Sequence, residues 1–227
     1  KYQYIMFFTI FASIFILFST NTKIIKKGLK KFFEEDKVKM PKLPNLSIST
    51  IVSIIGGLIG QNFLMESYKL CFNNSWFGIE DAVFGNDIGY YVFILPFIKK
   101  VIFFAIAIIL LLLVYTAVYY VLALNTYLDG VELETLKKNT FIKQLIFFTV
   151  LIVLLISTII WISSKDILTQ SMLTINNNEN TELFGASVAD VTVKVWVYRI
   201  LSILIIIDVL ILFKFIKKGK TKKCVIT

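Results

Sequence analysis

Arg199 and Asp208 stand within a largely apolar run from Val195 to Ile216. A carboxylate inside hydrocarbon is costly. It is kept for an ion or proton path, or for a hydrogen bond to another helix. Nine positions along a helix put the two residues on roughly opposite faces and about 13 Å apart, so they cannot pair with each other. Arg199, near one end of the run, can extend its head to the interface. Asp208 falls near mid-membrane, where Tyr115, Tyr119, Gln61 or Asn62 are candidate partners. Gln61, Asn62 and Glu66 interrupt a second apolar run, Ile48–Leu70. Asp208, Arg199, Gln61 and Glu66 are therefore the candidate intramembrane polar site. Convergence on one cavity would mean transport, and scattered pairing would mean helix packing.

A second cluster lies between apolar runs. Glu80, Asp81, Asn86 and Asp87 carry oxygen ligands of the kind calcium takes, but their spacing is not that of an EF-hand loop. Capping of short turns is the expected role of Asp81 and Asp87. Trp76, Phe77, Phe84, Tyr90, Tyr91, Phe93 and Phe97 crowd the same stretch, a composition that favours the headgroup level of a bilayer. Pro96 fits the first turn of the next helix without losing a hydrogen bond.

Other chemistry is excluded by residue type. The chain has no histidine and two cysteines, Cys71 and Cys224, too few for a Cys₄ site. Paired carboxylates, a phosphate loop, a nucleophile elbow and a zinc motif are all absent from the sequence. No catalytic, cofactor-binding or metal residue is assigned, and no enzymatic activity is expected.

The elements that must position these groups follow from composition. The 227 residues are 57% hydrophobic and 17% charged, with a mean hydropathy of +0.80. Soluble domains are about 45–50% apolar and about 25% charged, so the solvent here is lipid. A crossing helix needs about 20 apolar residues. Five stretches meet or approach that length: about 2–20, 48–70, 97–124, 141–162 and 195–216. Ile106–Val114 and Val150–Ile156 are continuously apolar, which suits helices and not alternating barrel strands. The expected fold is all-α, a polytopic transmembrane bundle of five spans forming one domain over 1–227. Gly56 and Gly60 give the second span a close-packing edge, more suited to the bundle than to dimerisation.

Lysines set the direction. They gather in 21–47, in 125–140 and after the last span. These segments are expected in the cytoplasm, and 71–96 and 163–194 outside. Lys1 then lies outside, as it would if one more span preceded it in a longer protein. Within 21–47, Ile24, Ile25, Gly28, Leu29, Phe32 and Phe33 fill one half of a helical wheel, and Lys23, Lys26, Lys27, Lys30 and Lys31 the other. The expectation is a basic amphipathic helix on anionic inner-leaflet lipids. The alternative is a helix packed on its own bundle with a solvated lysine face. The net charge of +9 belongs to these membrane-flanking clusters, so lipid and not nucleic acid is the expected partner.

The stretch Phe77-Gly-Ile-Glu-Asp-Ala-Val-Phe-Gly-Asn-Asp-Ile-Gly-Tyr-Tyr-Val-Phe-Ile-Leu-Pro96 resembles the signature of uncharacterised protein family 0182, a group of large bacterial membrane proteins. Phe77, Gly78, Asp81, Phe84, Asp87, Ile88, Tyr91, Phe93, Leu95 and Pro96 match its F-G-x-x-D-P-x-F-x-x-D-I-x-F-Y-x-F-x-L-P pattern. Ala82 and Tyr90 depart from it. Gly185, Ala186, Ser187, Asp190 and Val191 match a second motif, G-A-S-Y-T-D-V, from which Val188 and Ala189 depart. The resemblance implies a seven-span protein with a large extracytoplasmic domain, of which this chain holds spans two to six. It implies a setting and no particular chemistry. The reading is thus a membrane anchor or scaffold region of a larger bacterial envelope protein. A transporter or channel component using Asp208 is the alternative, and an intramembrane enzyme a weaker third.

Overall fold

The computed structural model describes residues 2–35, 45–127, 140–169, 171–176, 179–184, 188 and 190–217. Five long helices carry the chain: α1 (Tyr2–Glu35), α2 (Asn45–Phe72), α3 (Leu95–Tyr127), α4 (Thr140–Asp166) and α5 (Val195–Lys217). Four stretches are long and apolar enough to cross a membrane: Tyr2–Lys30, Asn45–Phe72, Tyr90–Ala123 and Phe141–Thr169. The side chains of α5 are described only as far as Ile211.

Helix is the state in which uniformly apolar segments satisfy their own backbone. The hydroxyls that interrupt these segments are satisfied the same way. Thr9, Ser13, Thr50, Thr149 and Thr158 each donate to the carbonyl four residues back, at 2.8–3.0 Å. Large apolar side chains cover the outside, among them Phe8, Ile59, Phe103 and Leu210. An apolar surface of this kind is at home in lipid and not in water.

One expectation changes and two gain detail. The segment from Thr22 to Glu35 is no separate surface helix, because α1 runs through it without a break. Ile25 and Leu29 are fully buried, while Lys23, Lys27 and Lys30 are exposed. The wheel pattern was satisfied by packing on neighbouring helices, since an amphipathic stripe reads the same against protein as against a leaflet. Second, the all-α fold carries one short hairpin. Strands β1 (Ser171–Asn176) and β2 (Glu179–Phe184) pair antiparallel, with Ser171 opposite Phe184 and Asn176 opposite Glu179. Asn176–Asn180 reads as a polar tract, yet pairing lets the backbone bond to itself. Third, Pro96 lies in the first turn of α3, but a wide π-helical turn, Tyr90–Ile94, precedes it. The Leu95 N–H donates to the Tyr90 carbonyl five residues back. The wider turn accommodates a ring that would crowd an ordinary upstream turn. A second π turn, Asp190–Lys194, leads into α5 in the same way.

The chain forms two compact units, one of 1–69 and 103–152 and one of 70–102 and 153–227. In the first, Ile14, Phe18, Leu112 and Phe148 form the core. A Cβ on Gly56 would stand 2.6 Å from Ile14 Cδ1, and one on Gly60 would overlap the Phe104 ring. The glycine edge of α2 therefore seats side chains of α1 and α3, as bundle packing requires. Beside it lies a cavity of about 310 Å³ lined by Ile14, Phe18, Val52, Ile59, Phe104 and other apolar groups. Polar links join the same helices. Asn21 Nδ2 donates to Thr116 Oγ1 at 2.9 Å, Gln144 Nε2 donates to Asn21 Oδ1, and Thr22 Oγ1 lies 3.1 Å from the Tyr115 hydroxyl.

In the second unit, Ser157 of α4 and Ser202 of α5 are buried against each other. Each hydroxyl reaches the other residue's carbonyl at 2.9 Å, and the two oxygens are 2.8 Å apart. Lys99 and Asp166 form a close ion pair between α3 and α4.

Candidate functional site

The loop between α2 and α3 is built around two carboxylates. Gly78 and Gly85 take φ values of 68° and 64°, a region that disfavours side chains, and so turn the chain back on itself. Glu80 and Asp87 then form an isolated antiparallel bridge, and the Ile88 N–H donates to the Ile79 carbonyl at 3.1 Å. Asp81 accepts from the N–H groups of Val83 at 2.9 Å, Phe84 at 2.5 Å and Asn86 at 2.9 Å, and from the Tyr91 hydroxyl at 2.7 Å. Asp87 accepts from the N–H groups of Phe77 at 3.3 Å, Gly78 at 2.8 Å and Gly89 at 2.7 Å. Asn86 Nδ2 donates to the Tyr91 oxygen at 3.1 Å, which joins the two halves of the loop. Phe77 stacks on Phe93, with ring centres 6.1 Å apart. Both aspartates act as turn caps. Their oxygens face N–H and O–H donors, the opposite of a cation's needs.

Burial pushes the carboxyls of Asp81 and Asp87 up, but hydrogen bonds to the charged forms outweigh it. For Asp81 these come from Tyr91, Phe84, Asn86 and Val83. For Asp87 they come from Gly89, Phe77, Gly78 and Ile79. Both groups end below the ordinary value of 3.8. A lowered folded value means stability that is complete above the unfolded value and lost as pH falls through the folded one. A spin label at exposed Val83 should therefore stay ordered from neutral pH down to about 5 and gain mobility below about 4. Mobility that rises instead on going above neutral pH would contradict the assignment.

The loop also covers the end of α5. The Arg199 guanidinium lies 5.5 Å from the Phe84 ring, 5.6 Å from Trp161 and 6.0 Å from Trp196. Its Nε is buried without a hydrogen-bond partner among the described residues. One turn beyond Trp161 on α4, Lys165 Nζ sits 4.7 Å from the Tyr90 ring centre. Cations over aromatic faces are held by the ring quadrupole without being neutralised.

The four residues of the expected polar site are divided between the two units. Arg199 is half-buried in the second unit. Asp208, in the same unit, is exposed. Gln61 is half-buried and Glu66 exposed, and both belong to the first unit. Tyr115 and Tyr119 are occupied by Thr22 and Asn45. Of the motif residues, Phe77, Gly78, Asp81, Phe84, Asp87, Ile88, Tyr91, Phe93, Leu95 and Pro96 all lie in the loop or the helix start just described. Asp190 is buried and pairs with Lys194 at 2.5 Å, with Val191 beside it half-buried. Gly185, Ala186 and Ser187 lie outside the described residues.

The model of one family, Uncharacterised protein family (UPF0182), matches residues 1–227. The chain belongs to UPF0182. A UPF0182 protein of Clostridium novyi (strain NT) is 27% identical over 235 residues, covering 97% of this chain and 26% of its own length. One from Clostridium perfringens (strain SM101 / Type A) is 25% identical over 228 residues, covering 96% and 24%. One from Caldicellulosiruptor saccharolyticus is 25% identical over 111 residues, covering 49% and 12%. This UPF0182 chain thus spans a quarter or less of the length of several curated relatives it matches, and 26% of the Clostridium novyi protein. No solved structure matches it.

The polar links Thr116–Asn21–Gln144 and Ser157–Ser202, and the rings around Arg199, are not legible in the sequence of this UPF0182 chain. Serine, threonine and asparagine inside an apolar run are a signal that something across the bundle answers them. Which residue answers depends on helix order and register, which one chain's periodicity does not carry.

Proposed function

We propose that this region is an integral-membrane anchor and scaffold within a larger bacterial envelope protein. The observation that carries the reading is how the polar side chains of the bundle are used. Asn21 bonds both Thr116 and Gln144, Ser157 bonds Ser202, and Lys99 pairs with Asp166. The cavity of the first unit is apolar. Such pairing fixes helix against helix. The exposure of Asp208 weighs against an ion route through it.

On this reading all five helices cross the cell membrane, α5 included. Lysine placement puts 21–47, 125–140 and the tail in the cytoplasm, and 71–96, 163–194 and Lys1 outside. A span before Lys1 and a large extracytoplasmic domain belong to the rest of the protein, which the relatives' greater length supports. The lysine face of α1 lies toward anionic inner-leaflet lipid.

The test uses the full-length protein in intact cells. With Cys71 and Cys224 replaced by serine, cysteine is introduced at Asn178 or at Lys220. A membrane-impermeant maleimide should label the first and not the second; equal labelling overturns the topology. Asp208→Asn separates anchor from transporter. It should leave accumulation unchanged and stability equal or higher, because an amide facing hydrocarbon is less costly than a carboxylate. An ion flux that the parent carries and the variant lacks would overturn the anchor reading.

A further inference from the structure

We infer that Arg199 and Lys165 form a receptor for the phosphate of an anionic lipid headgroup. The inference rests on the membrane reading above and adds a specific ligand site to it.

The argument begins with how the acidic groups of this unit are used. Asp81 and Asp87 are held by backbone N–H groups. Asp166 is paired with Lys99, and Asp190 with Lys194. Asp208 is nine residues along the helix from Arg199, about 13 Å away. Among the side chains described, no carboxylate is paired with Arg199 or Lys165. Both are instead held over rings, Arg199 by Phe84, Trp161 and Trp196, and Lys165 by Tyr90. Rings orient a cation and leave its N–H donors unused. The buried Nε of Arg199 is one such donor. A buried donor left unanswered is costly, and an anion is the group that answers one on a guanidinium. Lys165 and Trp161 are four apart and share a face of α4, so the second cation stands one turn from a ring that holds the first.

The surroundings specify the ligand. A guanidinium presents a planar fork that matches two phosphate oxygens, with an ammonium as a second point charge. The site lies where α4 ends and α5 begins, between the exposed indoles of Trp161 and Trp196. Exposed indoles at the end of an apolar helix mark the headgroup level. Immediately along α5, Val197, Ile200 and Leu201 are exposed and apolar, a surface for acyl chains next to the cations. A free phosphate has no use for that surface.

The experiment takes the full-length protein into nanodiscs of equal parts phosphatidylglycerol and phosphatidylcholine and weighs the retained lipids by native mass spectrometry. The parent should hold phosphatidylglycerol in preference, because choline adds a cation next to two others. Arg199→Gln should reduce that preference about tenfold, the loss of a charge-assisted contact. Lys165→Gln should reduce it less, and Arg199→Lys should retain part of it. Undiminished preference in Arg199→Gln overturns the proposal. If that variant fails to assemble, equal retention by the parent, Lys165→Gln and Arg199→Lys overturns it instead. Inorganic phosphate is the second probe. Binding of phosphate in pure phosphatidylcholine discs that depends on Arg199, with no lipid preference, assigns the site to free phosphate and overturns the headgroup. A carbonate wash keeps the two readings apart. Release of the parent from membranes would defeat the anchor, whereas a retained protein without lipid preference defeats only this site.

Discussion

Asp81→Ala is expected to unfold the loop between α2 and α3 and to cost about 2–4 kcal/mol. One carboxylate there gathers three backbone N–H groups and the Tyr91 hydroxyl. Alanine leaves all four donors without their acceptor. The backbone donors regain water only by opening the turn, and Tyr91 is buried and cannot do so in place. Bonds to a charged acceptor are worth about 1.5–3 kcal/mol each, but a cluster lost together costs less than the sum because the loop relaxes. Asp81→Asn should fall between parent and alanine, since its amide keeps one acceptor oxygen and turns an N–H₂ toward other donors. The check is a dodecyl-sulfate unfolding titration of the full-length protein, read alongside a label at Val83. A cost below about 0.5 kcal/mol, the scale of an ordinary surface change, would show that the carboxylate does not organise the loop. The same variant should release Phe84 from the Arg199 guanidinium, because the Phe84 N–H is one of the bonds lost. Loop stability and the lipid preference proposed for Arg199 are therefore expected to fall together.

What the sequence discloses and what it hides divide along a physical line. A run such as Ile106–Val114 has one stable state in lipid, so the helices are legible from hydropathy alone. Asp81 and Asp87 are legible too, because short acidic side chains between glycines cap turns by local geometry. Local pattern fails where two destinations share one pattern. Ile25 and Leu29 make the same stripe whether a leaflet or a neighbouring helix receives it, and the bundle receives it. It fails again for the end of α3, since Tyr115 and Tyr119 are polar candidates for any helix within reach. They meet Thr22 and Asn45, and Asp208 of the last helix stays exposed. Arg199 was visible as an interfacial cation. Its three ring partners come from a loop and two helices, and only the packed fold brings Phe84, Trp161 and Trp196 to one point.

Ser157→Leu should be the most damaging change within the apolar spans, at about 3–5 kcal/mol. Ser157 and Ser202 are 1% and 2% exposed, and each oxygen lies within 2.9 Å of the other residue's carbonyl. Contact that close between two helices holds only for small side chains. Leucine must force α4 and α5 apart, a strain of about 1–3 kcal/mol, and it also removes hydrogen bonds worth about 0.6 to 1.7 kcal/mol each inside a membrane. Ser157→Ala keeps the small volume and loses only the bonding, so about 1 kcal/mol is expected. Ser157→Ala combined with Ser202→Ala should cost about the sum of the two single changes, because each hydroxyl donates to the other residue's carbonyl and each alanine removes its own bond. Near-equal costs for alanine and leucine would sink the close-packing argument, and a double variant no worse than either single one would sink the two reciprocal bonds. The damage should also travel. Trp161 follows Ser157 by four residues and Arg199 precedes Ser202 by three, so the ring and the cation stand on the faces that the serines hold together. Separating the helices at Ser157 withdraws Trp161 from Arg199, and the lipid preference should weaken in the leucine variant while surviving in the alanine one.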